Sequence, residues 1–162
     1  MTINWEGKEN FVIKTKNKIV RIGEKISLGD LKINNPGEYE SGGVQLEVID
    51  GAIEVFSEKI TVAWIKKAKV LTDDELEKLN GIDVLLIGVG GGSSADEFTE
   101  TKIAIEAIGQ VDPKLVIPMY EKDLESFTKE EGVETEGQNQ FKFTLNDLPS
   151  EERQVVVLNS SS

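Results

Sequence analysis

The glycine-rich run Gly88-Val89-Gly90-Gly91-Gly92-Ser93-Ser94 is the first segment whose composition could support chemistry. A loop of this kind between a strand and a helix can bind phosphate, because its N–H groups are unobstructed and the helix N-terminus attracts anions. The run lacks the third glycine of a dinucleotide fingerprint and the Gly-Lys pair of a Walker loop. Asp96 and Glu97 follow at the expected start of the helix. There they would repel phosphate and would interact favourably with the helix dipole. The pattern therefore favours a tight strand-to-helix turn, with a small-ligand loop as the alternative. The residues of such a binding loop would be Gly90, Gly91, Gly92, Ser93 and Ser94.

Metal and nucleophile chemistry is limited by composition, because the sequence contains no His and no Cys. Disulfides, thiolate nucleophiles, imidazole bases and the usual zinc and copper sites are therefore excluded. The carboxylates of Asp73, Asp74 and Glu75 are explained by helix capping, and their spacing does not fit a calcium loop. The run Lys66 to Lys69 places three cations at a strand end, which is typical of a solvated edge that resists aggregation. The sequence predicts no catalytic residue, no metal ligand and no cofactor.

The charge balance limits the partners of the protein. Eighteen Lys and Arg against thirty Asp and Glu give a net charge of −12 among 162 residues. Nucleic acid and anionic membranes are poor partners, because the phosphate term that dominates such binding would be repulsive. No targeting segment or bilayer-length apolar run is visible, and we expect a cytoplasmic protein.

The elements that must position these residues change character halfway along the chain. From Thr2 to about Trp64, apolar and polar residues alternate, which predicts an antiparallel meander with one buried and one wet face. Lys16-Asn17 lies between Asn10–Lys14 and Ile19–Ile22 as a hairpin turn, and Asp50-Gly51 predicts a type I′ turn.

The second half alternates between helices and continuous apolar strands. Thr72 and Glu75 form a capping box that starts a short helix. Ile82–Val89 is nearly continuous in apolar residues and Leu115–Met119 is continuous, which predicts strands buried on both faces. The remaining predicted elements are a helix with the apolar stripe Phe98, Ala104, Ile105 and Ile108 ended by Gly109, a helix over Asp123–Glu131 ended by Gly132, and strands over Phe141–Leu145 and Val155–Leu158.

These elements predict an α+β fold in three layers: an antiparallel sheet packed on a mixed sheet, with helices mainly on one outer face. Residues 1–158 form one domain, and residues 159–162 are expected to be a flexible tail. Apolar residues on the wet faces would suit self-association, and these are Val12, Val20, Ile49 and Phe56.

Four segments occur in a familiar order: Asn35-Pro36-Gly37-Glu38-Tyr39-Glu40, Leu71-Thr72-Asp73-Asp74-Glu75-Leu76, Asp83-Val84-Leu85-Leu86-Ile87-Gly88-Val89-Gly90-Gly91 and Leu115-Val116-Ile117-Pro118-Met119. Together they resemble the small lactonase-like branch of the metallo-β-lactamase superfamily of Zn-dependent hydrolases. The resemblance covers essentially the whole chain. It implies a sandwich whose edge holds zinc through imidazoles and a bridging Asp, with the metal activating a water.

The metal ligands that the resemblance implies are absent. The His after Trp5-x-Gly7 corresponds to Lys8, the Asp before the capping box falls near Lys66, and the His after the Ile-Pro-Met strand corresponds to Tyr120. The His-rich loop of the family should lie between Val20 and Asn35, an interval too short to hold it with its flanking helices. The sequence thus resembles a shortened member without a coordination sphere. An ammonium from Lys66 or Lys8 could fill the space of the missing dication.

Three functions remain open from the sequence. The favoured one is a non-catalytic binding or structural subunit with a protein partner or a second copy of itself. The second is an enzyme with a rebuilt, metal-independent site that uses Lys66, Tyr39 or Tyr120 with carboxylates. The third is a module that binds a small ligand through the Gly88–Ser94 loop.

Overall fold

Within residues 1–79, 81–94, 97–133 and 136–161, which the computed structural model describes, the chain folds as two packed β-sheets with three α-helices. The strands are β1 (Thr2–Gly7), β2 (Asn10–Lys14), β3 (Ile19–Ile22), β4 (Ile26–Leu28), β5 (Leu31–Ile33), β6 (Gly37–Ser41), β7 (Val44–Ile49), β8 (Ala52–Ser57), β9 (Ile60–Ile65), β10 (Val84–Gly88), β11 (Leu115–Met119), β12 (Phe141–Lys142) and β13 (Gln154–Val155). The helices are α1 (Asp73–Lys78), α2 (Thr101–Val111) and α3 (Glu125–Glu131), with a 3₁₀ turn at Leu145–Asp147.

The first sheet is antiparallel and has the order β12-β1-β2-β3-β4-β5. β12 forms one edge of this sheet, because Thr2 of β1 pairs with Lys142 of β12. The second sheet has the order β13-β11-β10-β9-β8-β7-β6 and is mixed. Its strands β9, β10, β11 and β13 run parallel, and β6 to β9 form an antiparallel meander. The predicted α+β fold, with an antiparallel sheet on a mixed sheet, is confirmed.

Two apolar layers stabilise this arrangement. The layer between the sheets is filled by large buried side chains such as Phe11, Leu46 and Leu86. The layer under the helices joins Leu85 and Ile87 of β10 to side chains of α2 and α3, among them Ala104, Ile108 and Phe127. Burial of each such large side chain contributes about 1.5–3 kcal/mol. Because the helices of the described ranges pack on the second sheet, none of them covers the outer face of the first sheet.

One turn of the antiparallel meander is not of the predicted type. Asp50-Gly51 joins β7 to β8, but only Gly51 takes a positive φ, of 79°. It is therefore not a type I′ turn, which needs positive φ at both central residues. Glu58 and Lys59, between β8 and β9, have φ values of 55° and 65°. The Glu58 carboxylate is held by the amino terminus of Met1 at 3.5 Å and by Lys16 N–H at 3.3 Å.

The capping box at α1 is confirmed, since the Thr72 hydroxyl accepts from Glu75 N–H and the Glu75 carboxylate from Thr72 N–H. Gly132 ends α3 with a φ of 70°, as predicted. Gly109 does not end α2, because the helix continues to Val111 and Asp112 supplies the left-handed C-cap at φ 52°. The predicted strands near the C-terminus shorten to β12 and β13, with the 3₁₀ turn occupying part of the first.

The wet-face prediction for Val12 and Val20 is wrong, because both side chains are buried. Val20 points into the layer between the sheets, and Val12 lies between Asn4 and Arg21 on the outer face. Ile49 and Phe56 are exposed as predicted, at 36% and 42%. The predicted tail begins at Asn159, whose N–H donates to Gln138 C=O at 2.7 Å, and Ser161 N–H donates to Trp5 C=O at 2.9 Å. Its flexibility stays a prediction, and Ser162 lies outside the described residues.

Candidate functional site

The candidate site lies at the edge of the second sheet where the parallel strands β9, β10 and β11 end. Carboxyl ends of parallel strands share one edge, which is where open α/β sheets place ligands. Lys66 follows β9, the glycine-rich run follows β10 and Tyr120 follows β11. The β1–β2 turn, which contains Lys8 and Glu9, packs on the same edge through a Trp64 indole N–H that donates to Glu9 C=O at 2.9 Å. The structure thus brings the three predicted positions, Lys8, Lys66 and Tyr120, to one edge of the second sheet.

Lys66 is paired inside the protein. Its ammonium donates to the Glu9 carboxylate at 3.2 Å, and the side chains are only 30% and 16% exposed. The same ammonium lies 6.0 Å from the centre of the Phe98 ring, within the range of a weak cation–π contact. The positive charge at this edge is therefore supplied by a side chain of the protein, the Lys66 ammonium.

Lys67 is a second cation that is paired within the chain, through the glycine-rich run. Its ammonium donates to Gly92 C=O at 2.5 Å and to Ser94 C=O at 2.6 Å. Two carbonyls that converge on one ammonium resemble an ion site in which the ligand is a lysine. The loop carbonyls are thereby satisfied without a bound molecule.

The glycines of the run are required by close backbone contacts. A Cβ on Gly88 would collide with Lys66 C=O, one on Gly90 with Asp123 C=O, and one on Gly91 with Phe98 C=O. Gly91 N–H donates to Thr99 C=O at 2.9 Å, so the loop is fixed to the segment that precedes α2. These contacts explain the glycines by packing. Binding of a ligand by Gly90, Gly91, Gly92, Ser93 and Ser94 stays a prediction.

Glu97 does not lie at a helix start, because α2 begins at Thr101. Glu97 is exposed, and its N–H donates to Ser94 C=O at 3.1 Å. Asp96 lies outside the described residues. The expected repulsion of phosphate through a helix N-terminus therefore has no basis at Glu97.

Tyr120 and Lys8 differ in how they meet the site. The Tyr120 ring packs on Trp5 with 4.8 Å between ring centres, and burial raises the pKa of its hydroxyl. Within the described ranges, no hydrogen bond joins that hydroxyl to Lys66 or Glu9. Lys8 is exposed in the turn with a φ of 50°, and it contributes its C=O, which accepts from the Trp5 indole at 2.8 Å. Between the two lysines considered as substitutes for a dication, only Lys66 is paired at the edge.

The side chains at this edge do not fit zinc. Structural and catalytic zinc sites use thiolate, imidazole and carboxylate ligands, whereas the corresponding positions here carry ammonium and phenol groups. A dication would also be repelled by the ammonium groups of Lys66 and Lys67. In the part of the chain that the structure describes, no group of three or more His, Cys, Asp and Glu side chains could hold a metal ion.

Two residues that form contacts at this edge, Glu9 and Thr99, could not be predicted from the sequence. Glu9 was not distinguished from other acidic residues, because its contact with Lys66 spans 57 positions. Thr99 is a buried hydroxyl that accepts from Ala68 N–H at 2.9 Å and donates to Lys66 C=O at 3.3 Å. The interpretation of Lys66, Lys67 and Lys69 as one solvated edge is wrong for the first two. Only Lys69 has a largely exposed side chain, at 71%.

None of the helices in the described ranges combines the length and apolar character that a bilayer crossing requires. The cytoplasmic location stays a prediction.

Comparison with known proteins agrees with the fold. The chain is similar in structure to a protein from Thermotoga maritima that is provisionally described as a Zn-dependent hydrolase of the metallo-β-lactamase superfamily, with a TM-score of 0.80, 23% identity and coverage of 98% of both chains. It is more distantly similar to the metallo-β-lactamase fold protein YhfI from Bacillus subtilis, with a TM-score of 0.49, 10% identity and coverage of 76% of this chain and 50% of that one. No curated protein matches the sequence. Residues 5–120 match the family described as the beta-lactamase superfamily domain, and since they make up most of the 162 residues, the chain belongs to the beta-lactamase superfamily.

Proposed function

We propose that this chain is a non-catalytic member of the beta-lactamase superfamily that acts as a binding or structural subunit. The observation that carries the proposal is the Lys66–Glu9 pair, 3.2 Å apart at the edge where the resemblance places the metal. A half-buried pair of this kind satisfies its own charges and leaves no open coordination position. The superfamily fold is retained around an edge that the chain closes with its own side chains.

The glycine-rich run supports the same proposal. Its carbonyls at Gly92 and Ser94 are bound by Lys67, and its glycines are in contact with the backbone of neighbouring segments. A ligand at this loop would have to displace an ammonium from two short hydrogen bonds. Charge-assisted hydrogen bonds are among the stronger ones in proteins, so that displacement would be costly.

A rebuilt metal-independent enzyme is the second candidate, and the pairing of Lys66 with a carboxylate favours it. General acid–base work needs two groups within reach of one substrate atom, with separated pKa values. Tyr120 would be the natural third member, but its ring is held against Trp5. The candidate therefore predicts hydrolysis that depends on Lys66 and Glu9.

The test combines metal binding with hydrolysis on the purified full chain. Native mass spectrometry after incubation with zinc reads the stoichiometry of bound metal, and thermal unfolding reads any stabilisation by the metal. Activity is assayed on a lactone, a β-lactam and an activated phosphodiester. We expect no stoichiometric zinc adduct, no shift of Tm and no hydrolysis above the rate in buffer.

Two results would overturn the proposal, and each points elsewhere. A zinc adduct of fixed stoichiometry would mean that side chains rearrange into a coordination sphere. Hydrolysis that Lys66→Met and Glu9→Gln both abolish, while Lys69→Met leaves it intact, would assign the rebuilt site. Lys69 is the matched control because it also forms an ion pair, with Glu75 at 3.0 Å, but away from the edge.

A further inference from the structure

One part of the second sheet has an outer face without helical cover. The helices pack over β9 to β11, where Ala63, Leu85 and Val116 are buried beneath them. The outer face of β6, β7 and β8 remains open. Among the residues that the structure describes, this face carries four carboxylates and no cation, and we call it the acidic face: Glu38, Glu40, Glu47 and Glu54, with Gln45 and Phe56.

The carboxylates of the acidic face are aligned across the strands. Glu38 pairs in register with Glu47, and Glu47 pairs with Glu54. Like charges directly opposite each other on a sheet are destabilising. Burial, and then the charge of Glu47, raise the pKa of Glu54. A depression of about 430 Å³ opens over these residues, with Phe56 in its lining.

The opposite side of the sandwich has the reverse charge. We call the outer side of the first sheet the basic face: Lys14, Arg21, Lys32 and Lys142, with Ile19. Register places Thr2 between Lys142 and Lys14, and Arg21 and Lys32 flank Ser27. Glu6 is the carboxylate near them, 3.2 Å from Arg21 in an exposed pair. Four cations are concentrated here in a chain whose net charge is −12.

We propose that copies of this chain bind one another head to tail, with the basic face of one copy on the acidic face of the next. This inference rests on the proposed binding role and names its partner and surfaces. Both faces are uncovered sheet surfaces, which can pack face to face at about 10 Å. Each also carries an exposed apolar side chain, Phe56 at 42% and Ile19 at 48%.

The geometry of the two faces selects this contact over a symmetric one. A two-fold contact of the acidic face with itself would oppose eight carboxylates. The basic and acidic faces lie on opposite sides of one sandwich, so their contact is heterologous and extends into a ring or an open chain. Because the net charge of −12 repels copies at long range, the attraction depends on the faces and weakens as salt screens it.

The experiment uses two charge-reversal variants of the full chain. Glu47→Lys/Glu54→Lys cancels the negative charge of the acidic face, and Lys14→Glu/Arg21→Glu cancels the positive charge of the basic face. The matched control is Glu106→Lys/Glu130→Lys, which changes the net charge like the first variant but on exposed positions of α2 and α3. Sedimentation velocity is measured across a wide range of protein concentration, and circular dichroism shows that each variant is folded.

We expect the wild type and the control to sediment faster as concentration rises, and each face variant alone to stay monomeric. An equimolar mixture of the two face variants should associate again, because the unchanged basic face of the first variant can bind the unchanged acidic face of the second. A wild type that stays monomeric, or a mixture that does not recover association, would overturn the proposal. A monomeric wild type that binds polylysine through an intact acidic face would assign that face to a basic partner instead.

These outcomes are separate from the test of the proposed function. Self-association does not involve Lys66 or Glu9, so its failure without a zinc adduct or hydrolysis would leave a non-catalytic role in place with another surface. Zinc binding together with self-association would overturn the first proposal and leave the second.

Discussion

The Lys66 ammonium lies 3.2 Å from the Glu9 carboxylate and joins the end of β9 to the β1–β2 turn across 57 positions of sequence. The pair links the two sheets, because β1 and β2 belong to the first and β9 to the second. The adjacent Trp64 indole supports the same turn from inside the sandwich, through its 2.9 Å hydrogen bond to Glu9 C=O.

Lys66→Met should lower the free energy of unfolding by about 1 kcal/mol, between the values typical of exposed and buried pairs. The loss arises because the Glu9 carboxylate, whose side chain is only 16% exposed, would lose its ion-pair partner. Urea unfolding of wild type, Lys66→Met, Glu9→Gln and the double variant gives the coupling directly. Lys69→Met is the control and should stay within about 0.5 kcal/mol. A loss at Lys66 no larger than at Lys69 would mean that the pair is only a surface contact.

Gly91→Ala should destabilise the fold by about 2 kcal/mol or more, because its Cβ would overlap Phe98 C=O and force the backbone apart. Gly109 provides the opposite case in the same chain, since nothing lies within 4 Å of a Cβ added there and the residue is inside α2. Gly109→Ala should therefore stabilise by about 0.5–1 kcal/mol. Thermal unfolding of both variants decides, and equal effects would contradict the packing explanation of the loop.

Lys67→Met should destabilise the glycine-rich run locally more than it lowers the global stability of the protein. Removal of the ammonium takes one donor from Gly92 C=O and one from Ser94 C=O, which keeps its bond from Glu97 N–H, and the loss is about 1 kcal/mol after solvent replaces part of it. Native-state hydrogen exchange should show faster exchange at Gly91 N–H, which is bonded to Thr99 C=O, with little change in β7 and β8. Uniform acceleration across the chain would instead indicate global destabilisation.

Glu54→Gln should stabilise the monomer at neutral pH by about 0.5 kcal/mol, the scale of one cross-strand charge pair. Burial and Glu47 raise the pKa of Glu54 in the folded state, so the folded protein holds the proton more tightly than the unfolded chain. The penalty of the charged group is therefore complete above the folded pKa and disappears below the unfolded one, near 4.5.

The gain from Glu54→Gln should accordingly vanish as the pH falls through that window. The groups that face Glu54 are Glu47 in register, Glu38 one strand further and the uncharged Ala63 of β9. Urea titrations at several pH values, at concentrations too low for association, measure the effect. Glu106→Gln on α2 is the control, and a gain independent of pH would contradict the assignment.

The elements were predictable where the signal is local. Alternation in β7 and β8 and the Thr72–Glu75 box depend on residues a few positions apart, and the structure contains both. The end of α2 was predicted at Gly109, whereas Asp112 takes the left-handed conformation that ends the helix. The local signal for that end is Pro113, which cannot continue the helix and disfavours the helical conformation at the residue before it.

The candidate site was predictable only as a set of positions. The resemblance marked Lys66 and Tyr120, and both lie at the predicted edge. Their partners could not be predicted, because Glu9 and Trp5 reach the edge through sheet packing that no local pattern encodes. The acidic face is similar, since the row formed by Glu38, Glu47 and Glu54 exists only through strand register.

The pairing of Thr2 with Lys142 has a consequence for synthesis on the ribosome. β1 is made before both of its neighbours in the sheet, and its partner β12 follows 140 positions later, so one edge of β1 stays unpaired while the residues between them are made. Contacts between such distant positions form slowly, because a long loop must close before they gain any free energy. The nascent chain therefore carries an open strand edge until β12 arrives, and this edge is where a chaperone would be needed most.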